Sequence, residues 1–166
     1  RSSAASDVYK RQLSKCSTPT NAELAVRINA PSISPAVAQS DLDAVLPSER
    51  LQALVLPKVE SAEDIELIAR SAVNFSTYTK NSPLALVLSI ESAASLLRMP
   101  AILEHISGRM ATYQHKIRIA ALMFASEDYC ASTGIRRSRN LQSLLFPRAH
   151  LVTVAKAYGL QAIVRR

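Results

Sequence analysis

Five short apolar runs, each followed by enough chain for a helix, constrain the fold of this 166-residue chain more than any other feature. The intervals between the centres of successive runs are 29, 32, 36 and 39 residues, counted from Val26 to Ala162. Apolar runs without polar alternation are typical of strands that are covered on both faces. Intervals of this length leave room for a crossover helix, so the pattern predicts parallel βα units. The predicted strands are Glu23–Asn29, Leu51–Val59, Leu84–Ile90, Ile119–Ser126 and Leu160–Ile163.

The segments between the runs carry helix signals. Ser61 and Asp64 have the spacing of a capping box at a helix start. Apolar residues between 96 and 106 predict a second helix, which Pro100 interrupts or starts. A third apolar stripe near the end of the chain stops at Gly159, a residue type that is common just after a helix. Helices therefore alternate with the predicted strands.

A closed barrel and an open doubly wound sheet both fit this repeat, and both place chemistry at the C-terminal ends of their strands. No glycine-rich phosphate turn follows any run, and the chain has only three glycines. A dinucleotide-binding unit is therefore disfavoured. Each complete run leads instead to a charged residue, namely Arg27, Lys58, Glu91 and Asp128. The pattern favours a barrel, although a closed one usually takes about 250 residues.

The two ends of the chain bias its charge. Residues 1–12 resemble a translated sequencing-library adapter, and we expect them, like residues 164–166, to be non-native. Without the net +2 that each end contributes, the formal charge of +7 falls to +3, so no nucleic-acid partner is expected.

No apolar run approaches the roughly 18–20 residues that are needed to cross a membrane, so no membrane-spanning segment is expected. Cys16 and Cys130 form no metal-binding or disulfide pattern.

Glu91 and Asp128 come just after apolar runs and should lie at the same rim of the barrel. Burying an unpaired carboxylate costs much free energy. Two carboxylates from neighbouring strands also repel each other unless a cation lies between them. Magnesium is typically held by one or two protein carboxylates, with substrate oxygens and water as the other ligands. The alternative is that both residues are helix N-caps, where Asp and Glu are also favoured.

Basic residues near the same rim each have more than one interpretation. Arg27 lies within an apolar run and needs an anionic partner, either a substrate carboxylate or enolate oxygen or a structural carboxylate. Lys58 could hold an anionic substrate or pair with Glu91. The basic run Arg136–Asn140 is typical of a solvated helix start, but it could also meet a phosphate or a neighbouring carboxylate.

Several ordered motifs resemble the citrate lyase beta-subunit-like branch of the HpcH/HpaI aldolase superfamily. They cover nearly all of residues 23–163. The motifs are AVRINAP (Ala25–Pro31), LVLPKVESAEDI (Leu54–Ile65), LVLSIES (Leu86–Ser92), LMFASEDYCASTGIRR (Leu122–Arg137) and the segment Arg137–Ile163 that continues them. The resemblance implies an α/β fold, a partial (β/α)8 TIM barrel with about strands 3 to 6 and the start of strand 7. The barrel domain would span residues 13–163.

The resemblance also implies a chemistry. Members of this family are magnesium-dependent carbon–carbon lyases, so Glu91 and Asp128 would be the Mg²⁺ ligands, with Glu127 supporting them. Arg27 would be the catalytic residue that binds the oxygen of the enolate, and Lys58 would join it in substrate binding. The expected substrate is a hydroxy-acyl-CoA of the citryl-, malyl- or citramalyl-CoA type, or a keto acid.

The implied full-length protein is a homo-oligomer, a trimer or hexamer, in the cytoplasm or the mitochondrial matrix. The alternative is a non-catalytic barrel subunit, or an inactive fragment, within a larger lyase complex. This chain alone is expected to be inactive because strands are missing. Two residues depart from the family pattern: Ala125 stands where Gly is usual, and Val164 where Asp is usual.

Overall fold

The computed structural model describes Val8, residues 11–15 and residues 23–164. Most of the segment 1–12, which is expected to be non-native, lies outside the described residues. The same is true of Arg165 and Arg166. Within the described part, five strands fall where the apolar runs predict them. They are β1 (Ala25–Arg27), β2 (Ala53–Leu56), β3 (Leu84–Ile90), β4 (Ile117–Phe124) and β5 (Gln161–Val164).

Helices fill the intervals between these strands, as predicted. The helices after residue 22 are α1 (Pro35–Val45), α2 (Ala62–Val73), α3 (Ala93–Arg109), α4 (Ser126–Thr133) and α5 (Leu145–Ala157), with a 3-10 turn at Gln142–Leu144. The capping box is present at the start of α2, where the Asp64 carboxylate accepts hydrogen bonds from the amides of Glu60 and Ser61. Gly159 has φ 69° directly after the end of α5, which confirms the predicted stop.

The strands form one parallel sheet in the order β1-β2-β3-β4-β5. Each strand pairs with its successor, whereas a doubly wound sheet reverses its order at a switch point. This sequential order is that of a (β/α) barrel, so the predicted α/β fold with part of a TIM barrel is confirmed. One irregularity occurs between β3 and β4, where the pairing skips Ala120 and the register shifts.

The central strands carry the core. Leu54, Leu56, Leu86 and Leu88 of β2 and β3 are fully buried. The apolar face of α2, which includes Ile65 and Ile68, packs into the same core with no exposed surface. By contrast, the residues of β1 and β5 are exposed or half-buried. The sheet is thus densely packed in its middle and more open at its two edge strands.

The prediction that Pro100 interrupts or starts a helix is wrong. Helix α3 runs through Pro100 from Ala93 to Arg109. A proline inside a helix removes one hydrogen bond and costs about 3 kcal/mol or more. The buried side chains of Leu96, Met99 and Leu103 lie on both sides of the proline, and their packing offsets this cost.

No helix in the described part of the chain is long and apolar enough to span a membrane.

Candidate active site

The four residues predicted for the site lie at one edge of the sheet, where the parallel strands end. Arg27 is the last residue of β1, Lys58 lies two residues after β2, and Glu91 directly follows β3. Asp128 is in the first turn of α4, which begins two residues after β4. Arg27 and Asp128 line the same cleft of about 470 Å³, although β1 and β4 are not neighbours in the sheet. The sheet is therefore curved, as in a barrel.

Glu91 is almost completely buried, with 4% of its surface exposed. The hydroxyl of Ser89 donates a hydrogen bond of 2.8 Å to Glu91 Oε1. The second oxygen, Oε2, is buried and has no hydrogen-bond partner among the described residues. It lies 3.6 Å from Lys58 Nζ. One oxygen of this carboxylate is thus fixed by the protein, while the other faces a cation without a hydrogen bond.

The N-cap alternative does not apply to Glu91. The N-cap of α3 is Ser92, whose hydroxyl accepts a hydrogen bond of 3.0 Å from the amide of Ser95. The same hydroxyl donates to Glu60 Oε1 at 2.6 Å. Capping is therefore performed by the residue after Glu91, and the Glu91 side chain is directed to Ser89 and Lys58 instead.

Asp128 is positioned by the short helix α4. Its carboxylate is half exposed and lies 3.4 Å from Lys58 Nζ. The next residue, Tyr129, is buried and packs against Phe124 of β4 with ring centroids 5.0 Å apart. Burial raises the pKa of the Tyr129 hydroxyl, and the nearby Cys130 adds to this effect. Tyr129 thereby anchors the first turn of α4 to the strand, which fixes the main chain of Asp128.

Lys58 joins the two carboxylates. Its ammonium is within 4 Å of both Glu91 Oε2 and Asp128 Oδ1. Its main chain has φ 50°, in the left-handed region that residues with a side chain rarely adopt. The hydroxyl of Ser32 donates a hydrogen bond of 2.7 Å to the carbonyl of Lys58 and holds this conformation. Of the two interpretations of Lys58, pairing with Glu91 is the one that the geometry shows.

Arg27 is exposed at the end of β1 rather than buried within an apolar strand. It lines both the larger cleft and a second cleft of about 340 Å³, which Lys58 also lines. The loop after Arg27 is fixed by Asp41, a buried residue of α1. Asp41 Oδ2 accepts hydrogen bonds from the amide and the side-chain nitrogen of Asn29, at 2.8 and 2.7 Å. Arg27 thus lines both clefts, and the loop that follows it is held in place by Asp41.

Sequence reasoning missed two of these supporting residues, Ser89 and Asp41. Each carries a weak signal. Ser89 is a polar residue inside an apolar strand, two positions before Glu91 and so on the same side of the strand. Asp41 is an acidic residue on the buried face of α1, beside Leu42. A polar group in such a place needs a partner, but the sequence does not say which.

Of the basic run, Arg137 lines the larger cleft. Arg137 Nη1 lies 3.8 Å from Glu127 Oε1, so it meets a neighbouring carboxylate, which is one of the three interpretations of the run. The Glu127 side chain is 87% exposed, and an ion pair this open adds little to stability. The larger cleft is therefore lined by two positive side chains, Arg27 and Arg137, and by the carboxylates of Glu127 and Asp128.

The residues present fit a magnesium ion that shares its ligands with substrate and water. No group of three or more His, Cys, Asp or Glu side chains converges anywhere in the described ranges. The pair Glu91 and Asp128 supplies two carboxylates, which is the usual protein contribution at such a site. The buried Oε2 of Glu91, without a hydrogen bond, is an oxygen that a cation would satisfy.

Comparisons with known proteins identify the family of the chain. The chain matches the family model of HpcH/HpaI aldolase/citrate lyase over residues 3–164. It is 36% identical over 146 residues to the mitochondrial citramalyl-CoA lyase of Homo sapiens, a match that covers 85% of this chain and 41% of that protein. The chain thus spans about two fifths of the length of this curated relative.

Solved structures share the fold. RipC from Yersinia pestis is 26% identical, with a TM-score of 0.67, and the match covers 98% of this chain and 64% of that one. The malate synthase of Haloferax volcanii, in a ternary complex with pyruvate and acetyl-CoA, is 18% identical with a TM-score of 0.76. That match covers 97% of this chain and 45% of the synthase chain, and at this identity it shows the fold alone.

Proposed function

Because the chain belongs to the HpcH/HpaI aldolase/citrate lyase family, we propose that it forms the metal-binding part of a magnesium-dependent carbon–carbon lyase. The observation that carries the proposal is the pairing of one cation, the Lys58 ammonium, with the carboxylates of Glu91 and Asp128. Both carboxylates end up at the rim that also bears Arg27. A scaffold without catalysis has no need for this constellation.

The proposed substrate is a hydroxy-acyl-CoA, which is cleaved between the carbon that bears the hydroxyl and the carbon next to the thioester. The hydroxyl gives up its proton as its oxygen becomes the carbonyl of the leaving keto acid, and the electron pair of the broken bond moves onto the thioester oxygen, which gains negative charge. The resulting enolate then takes up a proton at carbon and leaves as the acyl-CoA product. Arg27 binds this oxygen through its guanidinium, whose paired N–H donors suit a charged oxygen. Glu91 and Asp128 hold magnesium, which when bound supplies a Lewis acid for the oxygens of the substrate. Lys58 completes the set as a binding group for the anionic part of the substrate.

Citramalyl-CoA is the first substrate to test, because curated relatives in three mammals are named for its cleavage. Those relatives are also named mitochondrial, so we propose the mitochondrial matrix as the compartment. For the full-length protein we propose a homo-oligomer, a trimer or hexamer. Light scattering coupled to gel filtration of that protein measures its mass directly.

The test is cleavage of citramalyl-CoA by the complete protein that carries this chain, with and without magnesium. We expect magnesium-dependent release of acetyl-CoA, which is lost by at least about 100-fold in Glu91→Gln and in Asp128→Asn, since metal contributes several kcal/mol to such reactions. Asp43→Asn is the matched control because Asp43 is an exposed carboxylate of α1. It should retain full activity.

Malyl-CoA and citryl-CoA belong in the same assay, to identify the acyl group. Absence of cleavage with all three thioesters would contradict a lyase function. Full activity of Glu91→Gln and Asp128→Asn would contradict the assignment of the metal ligands while leaving the reaction class intact.

A further inference from the structure

Lys58 occupies the place where a cation is needed between the two carboxylates. Its ammonium lies 3.6 Å from Glu91 Oε2 and 3.4 Å from Asp128 Oδ1. Glu91 is buried, so its charge has to be compensated in any state in which it is ionised. Among the described residues this ammonium is the cation in ion-pair contact with Glu91. Lys58 thus neutralises the pair from within the chain.

The contact is loose for a charge-assisted interaction. Hydrogen bonds between an ammonium and a carboxylate are usually about 2.7–2.9 Å long. Both distances to Lys58 Nζ exceed this range, and Glu91 Oε2 accepts no hydrogen bond among the described residues. Ser89, by contrast, holds the other oxygen of Glu91 at 2.8 Å. The protein therefore fixes Glu91 on one side and leaves its second oxygen to an exchangeable cation.

The base of the Lys58 side chain is fixed although its end is not. The main chain is held in the left-handed region by the hydrogen bond from Ser32, and the next residue, Val59, is fully buried. A side chain with such a base can move its ammonium only by rotating its four-carbon stem. The side chain is 40% exposed and lines the 340 Å³ cleft shared with Arg27. Space to receive the ammonium therefore lies beside the pair.

We propose that Lys58 is a tethered cation that takes the position of the divalent ion in the metal-free chain and leaves it when metal binds. The ammonium then turns into the cleft of Arg27, where it binds the anionic group of the substrate. Metal binding and substrate binding are coupled through this one side chain. The inference rests on the proposed metal site and adds to the proposed substrate-binding role of Lys58.

The decisive experiment measures magnesium binding by calorimetry in the complete protein that carries this chain, as the wild type and as Lys58→Met. Removing the competing cation should tighten magnesium binding by about 5- to 150-fold, the usual range of coupling between two sites. The metal-free variant should melt at a lower temperature than the metal-free wild type, because Glu91 and Asp128 then repel each other. Saturating magnesium should remove most of this difference. A residue with a merely structural role would not tighten metal binding when it is lost.

Two further variants keep the test decisive. Lys80→Met is the charge-matched control, since Lys80 is exposed in the loop before β3, and its magnesium affinity should equal that of the wild type. Lys58→Arg retains a cation and should restore weak, wild-type-like magnesium binding. If Lys58→Met fails to fold, Lys58→Gln takes its place.

A substrate arm tests the second half of the inference. With magnesium saturating, pyruvate serves as a simple keto-acid probe, and its affinity for Lys58→Met should fall by about tenfold or more. Unchanged pyruvate affinity would overturn the role in the cleft. Unchanged or weaker magnesium affinity in Lys58→Met would overturn the displacement of the Lys58 ammonium by the metal, and would leave the metal site itself intact. Failure of the wild type to bind magnesium at millimolar concentration would overturn the displacement and the proposed metal site together.

Discussion

Asp41 is the residue whose loss should most clearly disturb the loop after β1. It is 4% exposed and accepts two hydrogen bonds from Asn29, two residues after Arg27. Replacing it with Ala leaves two donors without their partner, which should lower the free energy of unfolding by about 1–3 kcal/mol. Urea denaturation measures this loss. The exposed Asp43 in the same helix is the control, and Asp43→Ala should stay within about 0.5 kcal/mol of the wild type. Equal stability of the two variants would contradict the role of Asp41.

We expect that lysine cannot replace Arg27 without loss of activity. Arg27→Lys keeps the positive charge but loses the paired N–H donors that fit a charged oxygen. Under the proposed chemistry, kcat/KM of the complete protein should fall by about 100-fold or more, as when one donor to a developing oxyanion is removed. Arg98→Lys, an exposed position on α3, is the matched control. If Arg27→Lys matches that control, the proposed contact to the enolate oxygen is wrong.

At the scale of elements, α2 and α3 are tied together by Glu66, a largely buried carboxylate. It lies 3.1 Å from Arg70 Nη1, 3.0 Å from His105 Nε2 and 3.0 Å from Arg109 Nε. Burial alone would raise the pKa of Glu66, but the hydrogen bond from His105 and the charge of Arg109 outweigh it and lower the pKa below 4.5. A lowered pKa means that Glu66 stabilises the fold above pH 4.5. That stabilisation disappears as the pH falls through the folded-state pKa.

Glu66→Gln should therefore destabilise the chain by about 1–3 kcal/mol at pH 7 and by progressively less as the pH falls below 4.5. Denaturant unfolding of both proteins between pH 7 and pH 3 measures the difference. Asp43→Asn, with its exposed carboxylate, should show a small and nearly constant difference over the same range. A difference for Glu66→Gln that does not shrink in acid would contradict the ion-pair assignment.

The centre of the sheet should be the least tolerant element. Leu88 of β3 is fully buried between neighbouring strands and helices. Leu88→Ala removes buried apolar surface and leaves a cavity, so we expect a loss of about 2–5 kcal/mol in the free energy of unfolding. Leu97 on α3 is 65% exposed, and Leu97→Ala is the matched control, with a change of about 0.5 kcal/mol or less. Thermal or chemical unfolding that ranks the two equally would contradict the core described above.

At the scale of the whole molecule, the described sheet is open at both edges. Among the described residues, strand β1 pairs only with β2, and β5 pairs only with β4. Unpaired strand edges are templates for association with other chains. The exposed Leu145 and Phe146 at the start of α5 add apolar surface. We therefore expect the isolated 166-residue chain to self-associate as its concentration rises, which analytical ultracentrifugation measures. A monodisperse monomer that melts cooperatively would contradict this expectation.

The sequence alone determined the repeat of strands and helices and the edge at which the charged residues lie. Strands β3 and β5 were predicted to within one residue at each end, because short continuous apolar runs of this length favour strands. Those runs lead to Arg27, Lys58, Glu91 and Asp128, so parallel pairing placed all four at the same edge. The motifs then supplied the family, which the family match confirms. The roles of the four residues stay predictions.

Only the tertiary structure decided how these residues meet. The curvature of the sheet brings Arg27 and Asp128 into one cleft, and the left-handed main chain of Lys58 sets its ammonium between Glu91 and Asp128. The partner of Asp41, and the helix that continues through Pro100, likewise depend on packing between elements. Local patterns specify what a segment forms and which face it buries. Contacts between residues 12 to 70 positions apart, such as Asn29–Asp41 and Lys58–Asp128, arise from the packing of elements, which no local pattern contains.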